Sequence, residues 1–291
     1  VKASTKNLLF LHIGILGIST SGVFGRSLEM PVPLAIAWRA IAALAFLIPL
    51  MFILRTSFQV QKKHVPRLLF SGLFMAAHWL TYFYSLYYSN IPIAMLSIFT
   101  YPIMTVILEP ILLKTSFDKN LIICAIIMLI GLFFLTPEFN LENNYTIGII
   151  FGVTSALAYT FRNLIVKSLI NEYDATNLMT HQIMWAMVLT IPILFMYDQP
   201  TPTGYDWWYI AGLGLVTTAI GHTLFARSFK MISLSTASII SMIQPLYGIG
   251  LGILFLSEIP DSRTAIGGAI ILLGLVVQNI LKRTKPKPET T

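Results

Sequence analysis

What this 291-residue chain lacks first is charge: Asp, Glu, Lys and Arg together make up 11% of it, where soluble domains carry about 25%. So little polar side chain cannot cover a soluble globule of this size, and the chain is expected in lipid. Cysteine is nearly absent. The single one, Cys124, lies inside an apolar run, which excludes a disulfide framework or a clustered thiolate metal site and leaves a buried membrane-helix thiol. No GxxxxGK[ST] loop occurs, so ATP-driven pumping has no visible engine. HExxH, GxSxG and close carboxylate clusters are missing as well, which disfavours an intramembrane protease or metalloenzyme. A repeated carbonyl-filter motif is absent, against a selective ion channel. No enzyme activity, metal or cofactor is expected.

What is present is apolar sequence, 56% of the chain. A membrane helix needs about 20 mainly apolar residues, and ten segments qualify: Asn7 to Arg26, Pro33 to Leu54, Arg67 to Tyr88, Ile93 to Leu113, Asn120 to Thr136, Tyr145 to Lys167, Thr176 to Tyr197, Trp207 to Phe229, Ser235 to Leu256 and Thr264 to Leu281. Lys2 and Lys6 before the first imitate a signal peptide, but with nine apolar segments downstream it reads as the first span. The connectors are short, so function belongs within the bilayer. The net charge of +7 does not point to nucleic acid, because the basic residues sit in loops. With a cytoplasmic N-terminus, Lys62, Lys63, Arg67, Lys114, Lys119, Lys167, Arg227, Lys230 and the Lys282–Lys287 tail share one side, and only Arg26 and Arg263 fall on the other. That is a positive-inside pattern with both termini cytoplasmic in the cell inner membrane. Trp207, Trp208 and Tyr209 fit the outer rim of the eighth span. Asn144-Tyr145-Thr146 matches a glycosylation sequon of a kind that arises easily by chance.

Sliding the chain by about 143 residues pairs Pro49 with Pro192, Ser85 with Ser228, Pro102 with Pro245 and Gly131 with Gly274. The expected fold is therefore all-α and integral to the membrane, ten transmembrane helices in two five-helix inverted repeats. Residues 1–140 form the first repeat and 141–291 the second, with its basic cytoplasmic tail. Five spans per half is an odd number, so the second copy enters upside down, a physical basis for alternating access.

Ten spans, Trp38-Arg39 in the second, and prolines in the fourth and ninth (Tyr101-Pro102, Gln244-Pro245) make the chain resemble EamA-type transporters of the drug/metabolite transporter superfamily. The stretch from Ser235 through Ser257-Glu258 to Gly274 carries the resemblance most closely. It departs after the fourth span, where Lys114-Thr115-Ser116 stand in place of an acidic residue. The resemblance implies an exporter of amino acids or other small metabolites, with a central cavity between the halves and the fifth and tenth helices peripheral.

A charge at mid-membrane costs about 2.5–3.5 kcal/mol on insertion scales, so Arg39, Glu109 and Arg162 should face protein or a watery cavity. Counting about 1.5 Å per residue, Arg39 lies some 9 Å beneath the outer face, with Glu109 and Arg162 about 6–8 Å above the inner one. Glu109 and Arg162 are expected as an inner gate or coupling pair, and the plain alternative is snorkelling to the nearer interface. His78, Tyr82 and Ser85 share a helix face. His78 can bind a polar or anionic group or relay a proton, or simply bond a neighbouring helix. His222 on the eighth span falls close to the repeat-mate position of His78, matching Trp79 one position on. Trp79, Tyr101, Tyr159, Gln182, Gln244 and Tyr247 complete the expected cavity with Arg39, His78, Tyr82 and His222. Pro102 and Pro245 are expected as mid-helix hinges, or as static kinks.

The expected function is secondary transport by alternating access, as an exporter of small organic metabolites such as amino acids or related compounds. The partners are a small-molecule substrate, the lipid bilayer and, if His78 or Glu109 titrates, protons; the chain acts as a monomer or homodimer. Rivals are a nucleotide-sugar or organic-phosphate antiporter of the same superfamily, a membrane-embedded lipid enzyme, and a scaffold or sensor.

Overall fold

A computed structural model describes residues 5–114, 142–232 and 234–283, together with Ile127, Ile130, Gly131 and Phe134. Cys124, Lys119, the boundary between the expected repeats, the basic tail beyond Arg283 and most of the fifth expected span lie outside the described residues. The described chain is helical throughout, with no strand among the described residues.

Helices α1 (Thr5–Ser19) and α2 (Ser21–Arg26) make the first expected span, α3 (Val32–Ile53) the second and α4 (Val65–Tyr88) the third. The fourth is α5 (Ile91–Ile98) followed by α6 (Tyr101–Leu113), and the sixth is α7 (Asn144–Leu169). The seventh is α8 (Ala175–Thr190) running into a 3-10 turn, Ile191–Met196. The eighth joins α9 (Asp206–Gly212), a π-helix over Leu213–His222, and α10 (Thr223–Ser228). The ninth joins α11 (Leu234–Ile240), a 3-10 turn at Ser241–Ile243 and α12 (Gln244–Leu256), and the tenth is α13 (Ser262–Arg283). Helix starts are capped as the sequence allows: Asn90 accepts from the Ile93 amide at 2.9 Å and Asp174 from the Thr176 amide at 2.8 Å.

Among the described residues, six helical runs are long and apolar enough to cross a membrane: Leu9–Arg26, Val32–Ile53, Ile91–Leu113, Asn144–Leu169, Ala175–Met196 and Asp206–Ser228. Helix α4 is as long, but its Tyr, Trp and His residues lower its hydropathy. The distribution of side chains is that of a membrane protein. Phe195 is 86% and Phe52 73% exposed, while Arg39, Arg162, Asn163 and Gln182 are buried. A soluble protein rarely leaves so much apolar surface facing water, whereas in lipid that surface is solvated and polar groups must turn inward.

Prolines 102 and 245 do not bend continuous helices. The fourth span breaks at Phe99-Thr100 and the ninth at the Ser241–Ile243 turn, and each proline stands in the first turn of the helix that follows. There its missing N–H removes nothing, because first-turn amides have no intrahelical partner. The two hinge residues are thus helix starters beside a discontinuity, which corrects the mid-helix expectation. Both of these helices also end alike: Lys114 (φ 55°) and Ser257 (φ 55°), which the expected repeat would pair, are left-handed C-caps.

Helix α4 packs most extensively along α7, and small residues make this possible. A Cβ at Gly152 would stand 3.1 Å from Ser85 Oγ on α4 and 2.4 Å from Ser97 Cβ on α5, so only glycine fits. The corresponding crossing, α1 against the π-helix, is equally tight at Gly17, where a Cβ would meet the Val216 carbonyl at 2.9 Å. Exchanging first-half for second-half spans turns one crossing into the other. The same exchange relates the fourth–sixth contact to the ninth–first and the third–seventh to the eighth–second.

Polar contacts tie the helix ends together at two poles. At one, Arg26 Nε meets Glu258 Oε1 at 2.8 Å, Arg26 Nη1 donates to the Leu86 carbonyl at 3.1 Å, and Glu258 Oε2 accepts from the Ile91 amide at 2.7 Å. The Glu29 amide donates to Asp206 at 3.1 Å there. At the other, Lys167 Nζ donates to the Phe229 carbonyl at 2.6 Å and the Ile232 carbonyl at 3.2 Å, His64 bonds the Tyr173 hydroxyl at 2.8 Å, and Ser235 donates to Glu109.

Candidate functional site: a central polar cavity

Arg39 projects from the middle of α3 and is 1% exposed. Its Nε donates to Thr218 Oγ1 at 3.1 Å, and the Thr218 hydroxyl itself donates to the Leu213 carbonyl at 2.8 Å, five residues back along the π-helix. The guanidinium carbon lies 4.0 Å from the centre of the Trp79 ring and 5.7 Å from that of Phe83. Desolvated stacking of this kind contributes about 2 kcal/mol. No carboxylate pairs with Arg39 among the described residues.

His78 sits opposite, on α4. The Ser155 hydroxyl donates to the His78 carbonyl at 2.9 Å while lying 2.8 Å from His78 Nδ1. A hydroxyl has one proton, so Ser155 accepts from Nδ1–H and the imidazole keeps Nε2 as a free lone pair. Around this ring stand Tyr159 at 4.6 Å, Tyr82 at 6.3 Å and His222 at 6.4 Å between centroids.

These groups line one cavity. Arg39, His78, Trp79 and Tyr82 reach it from the first half, and Tyr159, His222 and Gln244 from the second; Ile18, Ser21, Met95 and Ile98 fill the remainder. Its lining contains no acidic side chain. The space is tight: a water-sized sphere finds about 20 Å³, room for about one water. Sequence reasoning expected a solute-sized, water-accessible pocket; in this structure the helices close around its polar groups.

Three expected lining residues stand elsewhere. The Tyr101 hydroxyl bonds Ser241 and its ring packs edge-on against Tyr159 at 5.0 Å. Gln182 holds Arg162, whose Nε donates to its Oε1 at 2.8 Å, and donates in turn to Ser71. Tyr247 packs half-buried against the core. Arg162 completes its set with Asn163 Oδ1 at 2.7 Å and the Met179 sulfur at 2.7 Å. Glu109 and Arg162 therefore form no ion pair: Glu109 takes the Ser235 hydroxyl, and neutral groups on α7 and α8 satisfy the guanidinium. Arg39, expected at a separate outer level, reaches the cavity that holds His78.

The cavity's position between the two sets of spans, and the polar pairs joining them, meet the outcome of the sequence comparisons. The EamA-like transporter family model matches residues 5–136 and 146–280. The chain belongs to the EamA-like transporter family. As a member of this family it is a multi-pass membrane transporter. It is 22% identical over 228 residues to the pseudopaline exporter CntI of Pseudomonas aeruginosa, covering 78% of each chain. It is 26% identical over 190 residues to an uncharacterized transporter of Archaeoglobus fulgidus, covering 65% of this chain and 67% of that one. With the transporter YxxF of Bacillus subtilis, also uncharacterized, the identity is 24% over 229 residues, 77% of this chain and 73% of the other. A solved crystal structure at 18% identity superposes with a TM-score of 0.74 over 97% of this chain and 99% of its own, a likeness of fold.

Sequence reasoning missed Thr218, Ser21 and the bridge between Arg26 and Glu258. Arg26 had signalled itself as one of two basic residues on its side of the membrane, and Glu258 as the acid following the ninth span.

Proposed function

We propose that this EamA-family chain is a secondary transporter with ten spans in two five-helix halves of opposite sense, and that it exports a small organic metabolite by alternating access. One observation carries the reading: the central cavity draws its polar groups from both halves, Arg39 and His78 from one, Tyr159, His222 and Gln244 from the other. A site so divided opens to one side or the other as the halves tilt against each other.

The sense of the spans supports the inverted arrangement. The C-terminal ends of α2 and α4 lie at the pole of Arg26, whereas those of their repeat mates α7 and α10 lie at the pole of Lys167. Likewise α6 ends beside Ser235 at the Lys167 pole, and α12 ends at Glu258 at the other. The Lys167 pole also gathers Lys62, Lys63 and Lys230, which supports a cytoplasmic position for it under the positive-inside rule. The tight cavity fits an occluded stage of the cycle. Similarity to a pseudopaline exporter supports export of a polar organic solute.

Counterflow in proteoliposomes loaded with labelled amino acids and related metabolites tests the function. Saturable, trans-accelerated uptake of one solute is the expected outcome. A transformed product recovered instead of the solute would mean an enzyme, and insensitivity of flux to an imposed pH gradient would remove proton coupling. Arg39 at the cavity wall keeps the organic-phosphate antiporter as the second reading, and strict exchange of phosphorylated solutes would favour it.

A further inference from the structure

Resting on that functional reading, we infer that the transported solute carries a carboxylate and that Arg39 is its seat. Arg39 is buried at the cavity wall, and among the described residues its hydrogen bonding is confined to Nε, held by Thr218 at 3.1 Å. The two Nη groups, the fork that matches a carboxylate, take no partner among the described residues. Trp79 stacks under the guanidinium at 4.0 Å and Thr218 pins its edge, so the fork is oriented before any ligand arrives. A buried cation without a counter-ion is costly. Arg162 solves this with neutral acceptors on three sides, and Arg39 does not.

The surroundings carry further unused capacity. Trp79 Nε1 and His222 Nδ1 are buried without hydrogen-bond partners, and both side chains line the cavity. Native interiors seldom leave such atoms unmatched. His78, whose proton sits on Nδ1, offers Nε2 as an acceptor. An anionic head on Arg39 with a hydrogen-bond donor near it would use all the polarity the cavity presents. A lining with a single guanidinium and no lysine suits a monoanion better than a phosphate dianion, and Tyr82 and Tyr159 supply ring faces for an apolar body.

Matched probes test this. Phenylacetate, hydrocinnamate and N-acetylphenylalanine, each against its uncharged carboxamide, are assayed by thermal shift on the detergent-purified full chain and by flux in proteoliposomes. Wild type is expected to bind the acids at least tenfold more tightly than the amides. Arg39→Gln abolishes that preference, Arg39→Lys restores part of it, and Thr218→Val weakens acid binding while keeping the preference. Equal binding of acid and amide by wild type, no binding of any acid, or an unchanged preference in a folded Arg39→Gln protein overturns the seat. Carriage of an amide as fast as its acid would sink the seat and leave the transporter standing. Acid binding without flux of any solute would do the reverse.

Discussion

The two poles of the bundle use one device and finish it differently. At each, a basic residue near the end of a half's first span donates to the carbonyl that closes its third: Arg26 to Leu86 and Lys167 to Phe229, acceptors at matching repeat positions. At each, a left-handed cap, Ser257 or Lys114, follows the half's fourth span. Only at the Arg26 pole does a carboxylate come next. Glu258 ties α12 to α2 and to the start of α5, whereas in the sequence Lys114 is followed by Thr115. If the proposed alternating access holds, this carboxylate is the side chain expected to make the Arg26 mouth of the cavity the harder one to open.

The largest effect belongs to what both poles turn on. Gly152→Val should drive a side chain into Ser97 and destabilise the closed packing by about 3 kcal/mol, seen as a lower unfolding temperature in detergent; an unchanged midpoint would mean that α5 and α7 have room to part. Glu258→Gln comes next. It removes one charge-assisted contact and one partly exposed ion pair, about 1–2 kcal/mol together. With Cys124→Ala and Ser21→Cys as reporter, maleimide labelling of the cavity from the Arg26 pole should rise about tenfold; equal rates would erase the asymmetry. Lys167→Met should cost about 1 kcal/mol and speed labelling from the opposite pole only a few-fold. The smallest effect is at Asp261, which caps α13 by accepting from the Thr264 amide at 2.7 Å. The Thr264 hydroxyl and amide hold this carboxyl below its ordinary value. Its contribution is therefore complete above that ordinary value, about pH 3.9, and fades as pH falls through the folded one. Asp261→Ala should cost about 1 kcal/mol at neutral pH and flatten the acid limb of a stability–pH curve.

Much of the architecture could be read from the chain. Each of the nine expected spans within the described residues ends within about two residues of its helix, because apolar length and flanking charge are linear properties of sequence. The interruptions at Phe99-Thr100, Leu213–His222 and Ser241–Ile243 were less legible, since composition does not record which carbonyl each amide takes. The prolines marked two of them, with the wrong geometry. His78, Trp79, Tyr82, Tyr159 and His222 do stand at the central cavity, and they could be singled out in the sequence because polar rings in an apolar helix are conspicuous. Glu109 and Arg162 were mispaired because counting residues gives depth along a helix and says nothing of which neighbour a side chain turns toward. Gln182 was misplaced for the same reason: its repeat mate Arg39 lines the cavity, and it does not.

The wide coil from Leu213 to His222 has a mechanical meaning. Its hydrogen bonds span five residues, so it is shorter than the same sequence wound as an ordinary helix. That is stored slack in a wall otherwise pinned at both ends. Drawing it out would rotate Thr218 off the guanidinium it tethers, so the hold on Arg39 and the length of this strut are set by one winding.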